Sequence, residues 1–183
     1  RYAAFIVFGL AVLAQIGIPA SMLVRRAETL RDGRVWKFKT APVDPYDAFR
    51  GKYVTLRLAE DRVAPAKGFV PDRGKKVYVL LEEDAEGFAH FSGISHEKTG
   101  ENDCVQARIR YFNNKEIHLD LPIDRYYMEE SKAPEAERVY RQNSRRGEQD
   151  AFVAVRILDG FPVIEELYIA DTPIREYLEQ GAG

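Results

Sequence analysis

The side chains with chemistry to offer are three histidines, one cysteine, and an arginine, tyrosine and acid cluster late in the chain. His90 and His96 with Asp103 and Cys104 are ligand types that zinc accepts. Their spacing is not that of a compact zinc motif, so they read as surface or hairpin positions and no metal is expected. Cys104 and His118 would make a thiol and its base if two strands brought them together. Against that stands a small, partly buried cysteine at the start of a strand, the commoner fate of a lone thiol. A single cysteine also excludes an intrachain disulfide and any multi-cysteine metal site. Arg125, Tyr126 and Tyr127 with Glu129 could present a guanidinium and aromatic faces to a ligand or partner chain. The alternative is an aromatic plug that closes one end of a barrel with its hydroxyls hydrogen-bonded. Asp44, Asp47 and Arg50 lie in a turn-rich stretch and read as a network fixing the strand that starts at Gly51, not as an acid and base. Gly51 itself suits a bulge or a close backbone approach.

Other chemistries are absent. No Gly-rich phosphate loop occurs, no cofactor is expected, and the basic pairs Lys75–Lys76 and Arg145–Arg146 are short and balanced by acids. A net charge of −2 over 183 residues is too small to suggest electrostatic binding to nucleic acid or anionic lipid, and no nucleic-acid partner is expected.

The elements that must position these residues begin with an anchor. Tyr2 to Val24 carries no charge, about 23 residues, long enough at 1.5 Å per residue to cross a hydrocarbon core of roughly 30 Å. Arg25 and Arg26 end the run, which exceeds an ordinary signal-peptide core and lacks a clean cleavage site before the arginines. A retained transmembrane helix over residues 1–26 follows, with the lipid bilayer as one partner. Ala14, Gly17 and Ser21 share one face of it, at spacings that let a second helix approach closely; a membrane-protein partner is expected there, set against the plainer reading that small residues are common in membrane spans and carry no contact. Arg25, Arg26, Arg31 and Arg34 taken alone would favour a cytoplasmic C-terminal domain, but long domains translocate largely regardless of such charges.

Ala27 to Arg34 extends the helix until Gly33 ends it, and residues 27–40 form a stalk and first strand, with Trp36 and Phe38 alternating against Lys37 and Lys39. Residues 41–183 form the β-rich domain. Pro42 and Pro45 keep the chain extended up to Gly51, and Lys52 to Leu58 places Val54, Leu56 and Leu58 on one face. Hairpins are predicted for Lys76–Glu82 with Phe88–Ile94, Cys104–Phe112 with Glu116–Leu121, and Phe152–Leu158 with Pro162–Ile169. Pro134, with Glu135 and Glu137, opens a helix that fades by Gly147, and Thr172–Pro173 caps a short C-terminal helix closed by Gly181. The sum is seven or eight strands with one or two short helices, a mainly β sandwich or distorted barrel behind a single transmembrane helix.

PVDPYDAFRGKYVTLRL, residues 42–58, resembles the signature of the GDYXXLXY-motif family of bacterial membrane-anchored proteins. LPIDRYYMEE, Leu121 to Glu130, is similar to that family's second recurrent block. The resemblance implies Asp44, Pro45, Arg50, Gly51, Tyr53 and Leu56 as motif positions in the first block, and Arg125, Tyr126, Tyr127 and Glu129 in the second. It also implies a single-pass protein of the bacterial inner membrane with its C-terminal domain periplasmic or extracellular, and it carries no activity. Lys52 stands where the motif has Asp, and Leu58 where it has its final Tyr, so chemistry at a motif Asp is not expected here. More distantly, Glu28 to Lys39 followed by DAFRGKYVTLRL is similar to the type I signal peptidase pattern, implying a tethered β-fold. Those enzymes use a serine and a lysine of lowered pKa. Ser21 precedes Thr29 and Leu30 by too much to match, and Arg25 or Arg26 occupies the serine position. The expected function is therefore a non-enzymatic, membrane-tethered accessory or structural subunit of a larger membrane complex. The alternative is a tethered signal-peptidase-like hydrolase or a peptide- or ligand-binding domain, with a ligand sensor built on Arg125–Tyr127 requiring a pocket into which those side chains converge.

Overall fold

In the computed structural model the described residues are 2–41, 53–100, 103–143 and 150–180. Helix α1 (Tyr2–Asp32) runs unbroken through Pro19 for 31 residues, about 46 Å at 1.5 Å per residue. Its stretch Val7–Asp32, which contains an 18-residue window of mean hydropathy 2.0, is long and apolar enough to cross a membrane. Tyr2, Phe8, Leu13, Ile16 and Leu23 all stand exposed along it.

Gly33 ends the helix through a contact no other residue could make. A Cβ there would lie 2.5 Å from the Thr29 carbonyl oxygen and 3.1 Å from the backbone of Ile157. The Gly33 amide donates to that same Thr29 carbonyl at 2.9 Å, and the fully buried Thr29 hydroxyl donates to the Arg25 carbonyl. Arg156 joins the helix end to the sheet, donating to the Gly33 carbonyl at 3.2 Å and pairing with Glu165 at 2.9 Å.

The chain then enters β1 (Arg34–Lys39), which buries Trp36 and Phe38 and exposes Val35 and Lys37. Burial of each ring stabilises the fold by about 1.5–3 kcal/mol. Short strands β2 (Tyr53–Thr55) and β3 (Arg62–Val63) follow. Next come β4 (Lys76–Glu83), β5 (Ala89–Ser95), β6 (Cys104–Phe112), β7 (Ile117–Asp120) and β8 (Arg125–Tyr127). Helix α2 (Ala133–Asn143) precedes β9 (Ala151–Leu158), β10 (Phe161–Ile169), β11 (Thr172–Pro173) and helix α3 (Ile174–Gln180).

Three antiparallel sheets result, in the orders β1-β9-β10-β11, β2-β8 and β3-β7-β6-β4-β5. They curve into a nearly closed, barrel-like wall. β3 meets β5 across the gap in the five-stranded sheet, and β1 also packs on β5. Further seams are the Thr40–Leu58 bridge and the Gln106 amide donating to the Gly160 carbonyl at 2.9 Å. Val77, Val79, Leu81, Val105, Ile109, Ile117, Val153, Val155 and Leu167 fill the interior. α2 turns Ala133, Ala136, Val139 and Tyr140 inward, one helical stripe, and α3 adds Ile174 and Leu178.

The mainly β domain behind an apolar helix matches expectation, as do the three hairpins. The β9–β10 turn is the predicted Asp159-Gly160, both residues at positive φ (53° and 76°), the geometry of a type I′ hairpin. Bulges at Ser92, Arg110 and Glu165, where one residue has no opposite number, bend the long strands around the core. Three details differ. Among the described residues there are eleven strands, the added ones being two- and three-residue edges. The strand expected over Lys52–Leu58 is formal only at Tyr53–Thr55, yet its alternation holds, since Val54, Leu56 and Leu58 are buried. Thr172–Pro173 pairs with Ile169 and Tyr168 as an edge strand instead of capping α3, a position that tolerates proline because no amide is required of it.

Candidate functional site

The two blocks that carry the family resemblance, about seventy residues apart, lie side by side. Tyr53 opposes Tyr127, Val54 opposes Tyr126 and Thr55 opposes Arg125. The Leu56 amide continues the ladder by donating to the Asp124 carbonyl at 2.8 Å. On the outer face, Tyr53 and Tyr127 meet edge to face with centroids 5.6 Å apart, and the Arg125 guanidinium lies 5.1 Å over the Tyr53 ring. Leu56 points inward and is buried. Glu129 contributes its carbonyl, which accepts from the Lys132 and Ala133 amides and starts the turn into α2. Asp44, Pro45, Arg50 and Gly51, like Asp47 and Lys52, lie outside the described residues.

Tyr126, on the inner side of the same strand, is 4% exposed, and its hydroxyl donates to the Glu166 carboxylate. The Leu167 amide also donates to that carboxylate, at 3.0 Å. Burial pushes the Tyr126 phenol well above its ordinary pKa, and the neighbouring Glu166 adds to the effect. Arg175, from the start of α3, lies close enough to the Tyr126 oxygen to favour its ionised form, so phenol, carboxylate and guanidinium form one electrostatic network across β8, β10 and α3.

A cavity of about 890 Å³ opens beside this network, between the domain and α1. From the domain come Arg125, Tyr126, Tyr127, Phe161 and Arg175; from the helix come Pro19, Met22, Leu23, Arg25 and Arg26. The Arg25 guanidinium lies 4.3 Å over the Phe161 ring, fixing the helix to the cavity rim. Arg125, Tyr126 and Tyr127 all line the cavity, with Arg125 and Tyr127 on the outer face of β8 and the Tyr126 ring turned to the other face.

The histidines and the thiol do not converge. Cys104 opposes Leu80 at one end of β6, whereas His118 opposes Tyr111, seven residues further on. At about 3.3 Å per residue they are roughly 23 Å apart, too far for a nucleophile and its base. Cys104 is fully buried, and burial raises its thiol pKa. His90 faces Glu60 at 3.2 Å, His96 stacks on Phe69 and meets the Val70 carbonyl, and His118 stacks on Tyr111. Among the described residues no group of histidine, cysteine and acid is placed to hold a metal. Asp103 instead pairs with Arg34. Ala14, Gly17 and Ser21 are exposed on α1, nothing lies within 4 Å of where a Gly17 Cβ would be, and the Ser21 hydroxyl donates to the Ile18 carbonyl at 2.7 Å.

Arg175, Glu166 and Phe161 belong to the site without having been expected in it. Nothing local marks them, because their partners are 35 to 50 residues or more away and are reached only by strand pairing. Arg25 and Arg26 were visible only as the stop of the apolar run. No curated protein and no solved structure matches the chain. A family model described as GDYXXLXY protein matches residues 15–167, from the middle of α1 into β10 and so across both paired blocks, and the chain belongs to the GDYXXLXY family.

Proposed function

We propose that this protein is a non-enzymatic, membrane-tethered accessory or structural subunit of a larger membrane complex, with its β domain on the periplasmic or extracellular side of a bacterial cytoplasmic membrane. The observation that carries this reading is the bare surface of α1. Tyr2, Phe8, Leu13, Ile16, Ile18 and Leu23 stand exposed along it, and nothing lies within 4 Å of where a Gly17 Cβ would be, which leaves the helix open there to a close helix neighbour. Further support comes from the state of the reactive groups. Ser21 is engaged by the helix backbone, Cys104 is sealed in β6, and each histidine is held by a ring or a carbonyl or carboxylate oxygen. Purification from native membranes in a mild detergent should return the chain with a stoichiometric membrane protein, and Gly17→Leu should lose it while keeping the domain folded. Recovery of the wild-type chain alone and monomeric would contradict the reading.

A second reading, a ligand-binding domain, is favoured by the cavity at Arg125, Tyr126 and Tyr127. The tethered hydrolase version of that alternative would require Ser21 to leave its helix carbonyl; covalent labelling of Ser21 by a serine-directed phosphonate probe would support it.

A further inference from the structure

We propose that the cavity between α1 and the β8 edge holds the phosphate headgroup of an anionic phospholipid. The inference rests on α1 spanning the bilayer, as the preceding reading has it. The cavity lies where the apolar run of α1 gives way to arginine: Met22 and Leu23 line it beside Arg26, with Arg125 and Arg175 supplied by the domain. That is the depth at which a lipid's acyl chains end and its headgroup begins. Among the described residues, Arg25, Arg26 and Arg175 have no carboxylate oxygen within 4 Å. The acids that line the cavity are already engaged, Asp124 with Arg125 at 3.5 Å and Glu165 with Arg156 at 2.9 Å. Glu166, the acid nearest Arg175, accepts from Tyr126. The cavity thus presents guanidinium groups in excess over free carboxylates. Arginine's fork of donors matches phosphate oxygens, and the apolar helix turns just below offer a surface for the first methylenes of the lipid tails. A soluble phosphate would use only the polar half of this surface; a lipid uses both.

The full chain, reconstituted with equal amounts of phosphatidylglycerol and phosphatidylcholine and released in mild detergent for native mass spectrometry, tests this. Retained lipid should favour phosphatidylglycerol by roughly thirtyfold, the scale of two surface arginines. Arg26→Gln combined with Arg175→Gln, both exposed side chains, should bring the ratio near one. Arg138→Gln, on the surface of α2 and outside the cavity, should leave it unchanged. Equal retention of the two lipids by the wild-type chain overturns the proposal, and so does an equal loss in Arg138→Gln, which would make the preference a matter of overall charge. Displacement of the retained lipid by millimolar inorganic phosphate would assign the site to a free anion and also overturn it. Flotation with the vesicles is the separate check: a chain that fails to float overturns the tethered reading and this one together, whereas a chain that floats without preference overturns this one only.

Discussion

Tyr126 is the residue on which the site's ionisation turns. Its phenol is held protonated by burial and by the Glu166 carboxylate, so its folded pKa lies above the value of about 10 for an exposed tyrosine. The stabilisation this represents is complete below pH 10. It is lost as pH rises, because the unfolded chain then releases a proton that the folded chain keeps. Tyr140 and Tyr168 are shifted the same way by burial, so unfolding measured by denaturant should become easier above pH 10. Tyr126→Phe should cost about 1–2 kcal/mol at neutral pH, from the lost hydrogen bond, and should make the alkaline decline shallower. An unchanged decline would mean that Tyr126 ionises normally in the folded state. Neither the inward placement of Tyr126 nor its Glu166 and Arg175 partners could be read in the sequence, since β8 forms only by pairing with β2 and the partners arrive from β10 and α3.

At the scale of elements, the features readable in the sequence are those whose determinants are local. The β4–β5 turn is set by Asp84, whose carboxylate accepts from the Glu86 and Phe88 amides, and the β6–β7 turn by Asn113, which accepts from the Lys115 and Glu116 amides. Likewise the helix stop at Gly33 was visible, though not its cause, the approach of Ile157 from β9. Pairings between distant strands were not readable, because β1 with β9, β2 with β8 and β3 with β7 depend on the whole wall closing. The motif read as a turn is therefore also one half of a strand pair. A double-mutant cycle with Tyr53→Ala and Tyr127→Ala should give a coupling of about 0.5–1 kcal/mol, and additivity would show that the outer ring contact contributes nothing. Gly33→Ala should destabilise the joint between α1 and the sheet by roughly 1–3 kcal/mol, since its new methyl meets backbone on both sides. Thermal unfolding of the detergent-solubilised chain is the check, and wild-type stability would mean the joint relaxes freely.

Taken whole, the molecule is a barrel-like domain held on a long apolar helix by Thr29, Gly33, Arg156 and the Arg25–Phe161 contact. The helix uses its two sides differently. Pro19, Met22, Leu23 and Arg26 turn toward the cavity, while Gly17 lies about 120° or more away from each of them around the helix, at 100° per residue. On the proposed reading, the cavity side meets the lipid headgroups and the Gly17 side takes a partner in the membrane. A photo-crosslinking residue placed at Gly17, compared with one at Gln15, about 160° away around the helix, tests that division in intact cells. The account predicts one discrete adduct with a membrane protein from position 17 and none from position 15. Equal adducts from both positions, or none from either, would contradict it.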